Sequence, residues 1–572
     1  MKISKNWAVA LIILAGLAVY VNTFANRMFW DDNDFILHND YVQNWKFFGK
    51  FFSENVIAGA GFVSNYWRPF LLAVFSLEYH FWGNSVYGYH IVNLLFHIAA
   101  AILLYEILRK AFKSKVLAFF TALVFVVHPL QTEAVTYVSG LGDSLSAFFM
   151  FWAIWAILRL REAASRKGFY FGLSILMSLA ALLSKESAVV LPGLLALVVF
   201  FAADEQNRTL KDRFLEILKL IWPFALIIGI YIGLRATVLN FQGTFNFYLE
   251  KNDFSSSIFL RLLTFFRILM VYFKLLVWPH NLHMERTVEI ARSIFAPDVL
   301  GGAILTLGLL ILGFWAWKRL RQVSFGIFWF FAALFPMSNI MVPINGLLYE
   351  HWMYLPLIGI FFALAWSLLT LAEKWKAKTI IVWGLVAALA CFAVLSIKRN
   401  RDWRDPISFY KQTLAYAPQS YRLINNLGME YANVDQVKEA EETYLRAIAA
   451  DDSQPVAYHN LANLYLNSGD FEKAEKYYAL ALERDPDFVF SATNLIGLYG
   501  REQKYDSAKA ALEKYFGKRY DPVQIYRILA NLAVANKNEA KALEFISKAL
   551  ELNPDDLDLI QASINLKAKI NR

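Results

Sequence analysis

Eleven mostly apolar stretches lie between residues 7 and 397, at about 7–25, 87–108, 116–137, 144–160, 168–183, 187–203, 220–239, 299–317, 324–341, 351–371 and 379–397. A stretch of about twenty such residues, rising 1.5 Å each as a helix, matches the thickness of a bilayer's hydrocarbon core. Backbone polar groups have no water to bond there, so segments of this kind fold as helices. Of the 572 residues 58% are hydrophobic and 16% aromatic, and the mean hydropathy is +0.40, which a soluble chain of this length rarely sustains. The expectation is an all-α, polytopic membrane bundle of about eleven spans.

Charge orients the bundle. Lys2 and Lys5 precede the first span, Arg109, Lys110, Lys113 and Lys115 separate the second from the third, and Arg159, Arg161, Arg166 and Lys167 follow the fourth. Basic loops stay cytoplasmic, so the loop after the first span faces outward. The net charge of +9 is distributed in this way and includes no basic run dense enough for nucleic acid. The stretch 258–279 is apolar but carries Arg261, Arg267 and Lys274. If it lies in the outer interface instead of crossing, both Lys318-Arg319-Leu320-Arg321 and the run from Lys374 to Lys378 fall inside, and everything after Lys398 is extracytoplasmic. No small-residue cleavage site follows the first apolar stretch cleanly, which reads as an uncleaved signal anchor. The sole cysteine, Cys391, rules out a disulfide framework and a thiolate metal site.

Four carboxylates, Asp31, Asp32, Asp34 and Asp40, stand within the twelve residues 29–40, just after the first span. Helix caps in a solvated loop would account for them. The sharper expectation is a general base for a hydroxyl acceptor at the mouth of a membrane cavity. Other polar residues gather on the same side: Arg68 in Tyr66-Trp67-Arg68-Pro69; His90, Asn93 and His97 on one helical stripe; His128 and Glu133 in one short outer loop; and Glu350 with Tyr354 at the start of another span. Such a stripe faces a bundle interior or a cavity, and helix-to-helix hydrogen bonding is the alternative role. Asp31 and Glu133 could approach one reaction centre, hold Mg²⁺ or Mn²⁺ with a nearby histidine, or pair with Arg68. Lys185 is expected either in a local pair with Glu186 or, with Arg267 and Lys274, against a lipid-linked phosphate; snorkelling is the alternative for the last two. No nucleotide-binding or phosphate-cradling glycine motif is present, which directs the search for a donor to the membrane.

After residue 398 the chain turns polar and repeats. Ala440, Ala474, Ala508 and Ala542 recur every 34 residues, and Tyr444 and Tyr478 follow two of them by four. That period identifies a tetratricopeptide array, whose paired helices bury their apolar faces only against neighbours and whose groove suits peptides. The expected domains are 1–398 and 399–572.

Taken together, the Asp-Asp stretch, Tyr-Trp-Arg-Pro, Tyr89-His90-Ile91-Val92-Asn93 with His97, His128-Pro129 with Thr132-Glu133-Ala134, Ser184-Lys185-Glu186, Phe266-Arg267 before Trp278-Pro279, Glu350 with Tyr354-Leu355-Pro356, and the repeats resemble the transmembrane and tetratricopeptide repeat-containing O-mannosyltransferases and their prokaryotic relatives. The resemblance implies a GT-C glycosyltransferase that takes its sugar from a polyprenyl phosphate and places it on Ser or Thr of extracytoplasmic proteins. It implies a base at Asp31 or Asp32, assistance from Glu133, and Arg267 near the donor phosphate. One departure stands out: where the resemblance implies arginine after Glu350, this chain has His351. Two other readings are a GT-C transferase acting on a glycolipid or envelope polymer and a membrane scaffold without catalysis.

Overall fold

The computed structural model describes residues 3–202, 209–239, 241, 248, 252–286 and 288–571, so Lys2 of the charge argument lies outside the described residues. Among these the fold is all-helical, in two compact units, Met1–Phe409 and Tyr410–Arg572.

The longer helices of the first unit are α1 Lys5–Tyr20, α2 Pro69–Trp82, α3 Val86–Phe112, α4 Lys115–Val127, α5 Leu141–Glu162, α6 Lys167–Ser184, α7 Leu191–Phe201, α8 Leu210–Ala236, α9 Ile258–Val277, α10 Pro297–Ala316, α11 Arg321–Leu334, α12 Pro356–Lys374 and α13 Lys378–Asp402. All eleven expected stretches are helical, but eight helices are long and apolar enough to cross a membrane, or nine if one bent pair counts as a single span. The shortfall has local causes. Pro129 bends the third stretch by 56°. The stretch near 187–203 is split between a 3₁₀ turn, Glu186–Val190, and α7, while α11 gives way to a turn at Phe335–Met337 that contains Pro336. An unexpected helix, α2, stands between Tyr66-Trp67-Arg68 and the helix that bears His90; Pro69 at its first turn is preset for helix entry.

Two features fix this unit's packing. Where α11 meets α12, a Cβ on Gly326 would lie 2.3 Å from the Gly359 carbonyl oxygen, and one on Gly359 would lie 2.2 Å from that of Gly326. Small residues allow this backbone contact, a common way to join helices where lipid offers no hydrophobic gain. The end of α13, meanwhile, is tied to the beginning of the chain. Asn400 donates to Val19 O at 2.8 Å and Asn22 Oδ1 at 2.9 Å, accepts from Thr136 Oγ1 at 2.7 Å, and offers its carbonyl to Asn26 Nδ2 at 3.1 Å.

The second unit consists of helix pairs: α14 Tyr421–Asn433 with α15 Val437–Ala450, α16 Pro455–Ser468 with α17 Phe471–Arg484, α18 Val489–Arg501 with α19 Tyr505–Phe516, α20 Pro522–Ala535 with α21 Glu539–Leu552, and a closing α22 Leu557–Ile570. Ala440, Ala474, Ala508 and Ala542 are fully buried on the second helix of each pair, as the 34-residue period requires.

Candidate functional site

The site is built around residues 128–140. α4 stops at His128 because Pro129 follows, and the chain then makes three short turns, Pro129–Gln131, Thr132–Thr136 and Val138–Gly140, before entering α5. The last fold is close: a Cβ on Gly140 would meet Glu133 O at 2.7 Å and Ala134 O at 2.9 Å. Carbonyls exposed by such turns need donors. Asn93 supplies one to Tyr137 O at 2.9 Å and also reaches Val138 O at 3.2 Å and Val135 O at 3.4 Å. His128 accepts from Leu130 N at 3.2 Å and bonds Leu276 O at 3.2 Å through Nε2. His97 bonds the Tyr354 hydroxyl at 2.7 Å, and His90 bonds Asn26 O at 3.0 Å. His90, Asn93, His97, His128 and Tyr354 are all buried, so the polar stripe in this arrangement holds the segment in shape.

One end of the segment carries the acids of the first loop. Trp30 adopts φ +59°, a left-handed conformation that costs a bulky residue strain, and turns the following carboxylates inward. Phe29 packs on Trp403 at 6.0 Å and Phe409 at 5.0 Å between ring centroids. Asp32 is 1% exposed. Its Oδ1 accepts from Ser139 N at 2.8 Å and Ser139 Oγ at 2.5 Å, and its Oδ2 from Phe29 N at 3.2 Å. Burial pushes its pKa up to about 7, against the pull of those donors, and the neighbouring Asp31 charge adds to the rise. Asp31 is only half-buried, and its amide donates to the Tyr137 hydroxyl at 2.9 Å.

At the other end, Glu133 is 2% exposed and takes both polar groups of His351: Nδ1 at 2.7 Å on Oε1 and the backbone N at 3.0 Å on Oε2. Glu350, 1% exposed, accepts from His283 N at 2.7 Å and Arg286 Nη2 at 3.0 Å, with Arg399 Nη2 at 3.6 Å. Burial raises its pKa, and Arg399 and Arg286 oppose the rise.

Between these ends lies a third charged group. The sequence reading allowed a local Lys185–Glu186 pair and an Arg68 bond to Asp31 or Glu133; the structure corrects both. Glu186 accepts from Arg68 Nε at 2.9 Å and Trp67 N at 3.1 Å, and Arg235 Nη1 stands 3.7 Å away. Lys185 instead meets Asp143 at 2.7 Å. Neighbours in sequence thus point to separate partners, as the extended Lys185 backbone allows (φ −158°, ψ 139°). The Arg68 guanidinium lies 4.5 Å from the Tyr66 ring centroid. The Tyr66 hydroxyl, its pKa raised by burial and lowered by Arg68, also feels the charges of Glu186, Tyr349 and Asp31.

Arg267 and Lys274 lie apart from these groups on α9. Arg267 is held by Asp298, Nε to Oδ2 at 2.6 Å, and by Glu289 O at 2.8 Å. Lys274 is exposed, and its neighbours Phe273 and Leu276 line an apolar cleft of about 230 Å³ with Phe120, Phe361, Leu389 and Phe392. Among the described residues no three His, Cys, Asp or Glu side chains gather as a metal site would need, so the divalent-cation expectation finds no donor set. The sequence reading missed Arg235, Arg286 and Arg399. A signal existed for Arg235, a lone cation at the end of an apolar helix; none marked Arg286 or Arg399, whose partner lies in another part of the chain.

Residues 68–231 match the family model described as dolichyl-phosphate-mannose-protein mannosyltransferase, and residues 421–454, 455–488 and 496–556 match tetratricopeptide repeat models. The chain is 26% identical over 456 residues to the protein O-mannosyl-transferase F38B6.6 of Caenorhabditis elegans, covering 77% of this chain and 63% of that one. It is 24% identical over 557 residues to the protein O-mannosyl-transferase Tmtc1 of Drosophila melanogaster, covering 78% and 63%. The chain thus spans 63% of the length of these curated relatives. A solved structure, ArnT from Cupriavidus metallidurans bound to undecaprenyl phosphate, aligns with a TM-score of 0.40 at 14% identity, over 87% of this chain and 80% of that one. The resemblance carried by the motifs extends through both the apolar helices and the repeats.

Proposed function

We propose that the protein is a membrane glycosyltransferase that moves a monosaccharide, mannose or a related hexose, from a polyprenyl-phosphate donor to Ser or Thr hydroxyls of extracytoplasmic proteins, with the repeats binding the acceptor or a partner. The observation that carries this reading is the unequal treatment of two adjacent carboxylates. Asp32 is sealed in and receives three hydrogen bonds, whereas Asp31 is presented half-buried beside Tyr137 and Tyr66. A braced neighbour that fixes an accessible carboxylate is what general-base catalysis needs.

Asp31 takes the proton of the acceptor hydroxyl as its oxygen attacks the anomeric carbon, and the polyprenyl phosphate departs in a single inverting displacement. Arg68, held by Glu186, is the cation beside Tyr66 and contacts substrate there. Glu350 keeps Arg286 and Arg399 in place at the far end. The prenyl chain lies in the apolar cleft beside Lys274, and Arg267 serves the phosphate only after exchanging Asp298 for it. The basic loops support a site and repeats that face away from the cytoplasm.

The test is sugar transfer by purified protein in nanodiscs, from polyprenyl-phosphate-mannose to Ser/Thr peptides. Asp31→Asn should still bind the donor while turnover falls by about 10²–10⁴-fold, the usual worth of a general base. Full turnover would remove Asp31 from the mechanism. Sugar found on lipids and not on proteins, by mass spectrometry of a deletion strain, would overturn the protein acceptor.

A further inference from the structure

We propose that His351, aimed by Glu133, is the hydrogen-bond donor that meets the charge appearing on the donor phosphate as the sugar leaves; this rests on the transferase reading above. In that step the acceptor oxygen bonds to the anomeric carbon, its proton passes to Asp31, and the bond from that carbon to the phosphate oxygen breaks. The electron pair stays on the phosphate. A diester with one negative charge becomes a monoester whose second ionisation lies near pH 6, so about one further charge develops. A donor placed at that oxygen strengthens as the charge grows, which is the kind of contact that accelerates reaction.

Geometry singles out His351. The cations Arg68, Arg235, Lys185, Arg286, Arg399 and Arg267 each face a carboxylate. His351 also has a carboxylate, but on Nδ1 only. Its Nε2 has no hydrogen bond among the described residues, and the side chain is 20% exposed. Three contacts fix the ring: Nδ1 and the backbone N on Glu133, and the Tyr349 ring stacked at 5.5 Å and 28°. Tyr349 is held from behind, its carbonyl accepting from Tyr272 Oη at 3.1 Å. The charges of Tyr349 and Asp31 both raise the pKa of the Tyr66 hydroxyl. With Nδ1 committed to the carboxylate, Nε2 donates from the doubly protonated ring, which then serves Glu133 and the phosphate at once.

The titratable and charged groups on the elements around His351 are Glu133 on its own short turn, Tyr349 and Glu350 beside it, Arg286 and Arg399 against Glu350, Tyr272 on α9, and His128, whose Nε2 is turned to Leu276 O. None supplies a second cation to Glu133 in the structure.

The experiment measures binding of undecaprenyl phosphate to the full chain in nanodiscs, together with sugar transfer, with the fold of each variant checked by thermal melting. His351→Gln should bind about tenfold more weakly and turn over roughly 10²-fold more slowly, as on loss of one oxyanion donor, while His351→Arg, which keeps a charged donor there, should retain most of both. A folded His351→Gln that binds and turns over like the wild type would overturn the role of His351. If His351→Gln misfolds, the arginine variant decides alone: retained binding and turnover support the role, and loss of both in a folded protein overturns it. A wild type that binds no undecaprenyl phosphate would instead overturn the donor assignment of the transferase reading.

Discussion

Asp32 and Ser139, 107 residues apart, are joined twice, by the serine amide at 2.8 Å and its hydroxyl at 2.5 Å, both on one carboxylate oxygen. The pair fastens the loop after α1 to the turn that opens α5. Asp31, the next residue back, is half-buried.

This fastening has a pH signature. The Asp32 carboxyl is raised by burial to about 7 in the fold, against a value near 4 for an unfolded aspartate. Between those values the folded chain holds a proton that the unfolded chain has lost, so stability is highest below about pH 4 and declines as pH rises toward 7. Asp32→Asn, which can still accept from Ser139, should flatten that slope. The check is thermal unfolding in detergent from pH 5 to 7.5: the variant should gain on the wild type as pH rises, by at most about 1.4 kcal/mol per pH unit.

Lys185 and Asp143 test whether the amine is committed to its partner. Both side chains are 11% exposed and 2.7 Å apart. Lys185→Met strands a carboxylate and should cost about 3–5 kcal/mol, and adding Asp143→Leu should recover much of it, because burying neither charge is cheaper than burying one. Donor binding lost with unchanged thermal stability would instead place the amine at the donor.

Gly326 and Gly359 should tolerate no side chain. Valine at either position must force α11 and α12 apart at the point where each backbone touches the other. A loss of roughly 1–3 kcal/mol is expected from overpacking, read as a lower melting temperature in detergent. Leu368→Val on α12, a change away from that crossing, serves as control.

The legible part of this protein was what periodicity controls. Hydropathy marked the eleven apolar stretches as helices but not α2, and Ala440, Ala474, Ala508 and Ala542 announced the repeats because each packs in the same way. Span length was less legible, since Pro129 and Pro336 interrupt apolar runs that composition alone treats as continuous. Partner choice was not legible. Lys185 and Glu186 look like a local pair, but the backbone directs one to Asp143 and the other to Arg68, 118 residues earlier. The polar stripe of His90, Asn93 and His97 marked an interior face correctly. The bonds from Asn93 to turn carbonyls could not be foreseen, because those carbonyls are exposed only by the bend at residues 128–140, and His90 reaches Asn26 O in a different part of the chain.

Asn400, almost at the end of the membrane unit, bonds to residues 19, 22, 26 and 136. During synthesis nearly four hundred residues must leave the ribosome before that amide can reach the beginning of the chain, and such distant closure is slow. Until then the segment after α1, which Asn400 ties through Asn22 and Asn26, lacks its last anchors.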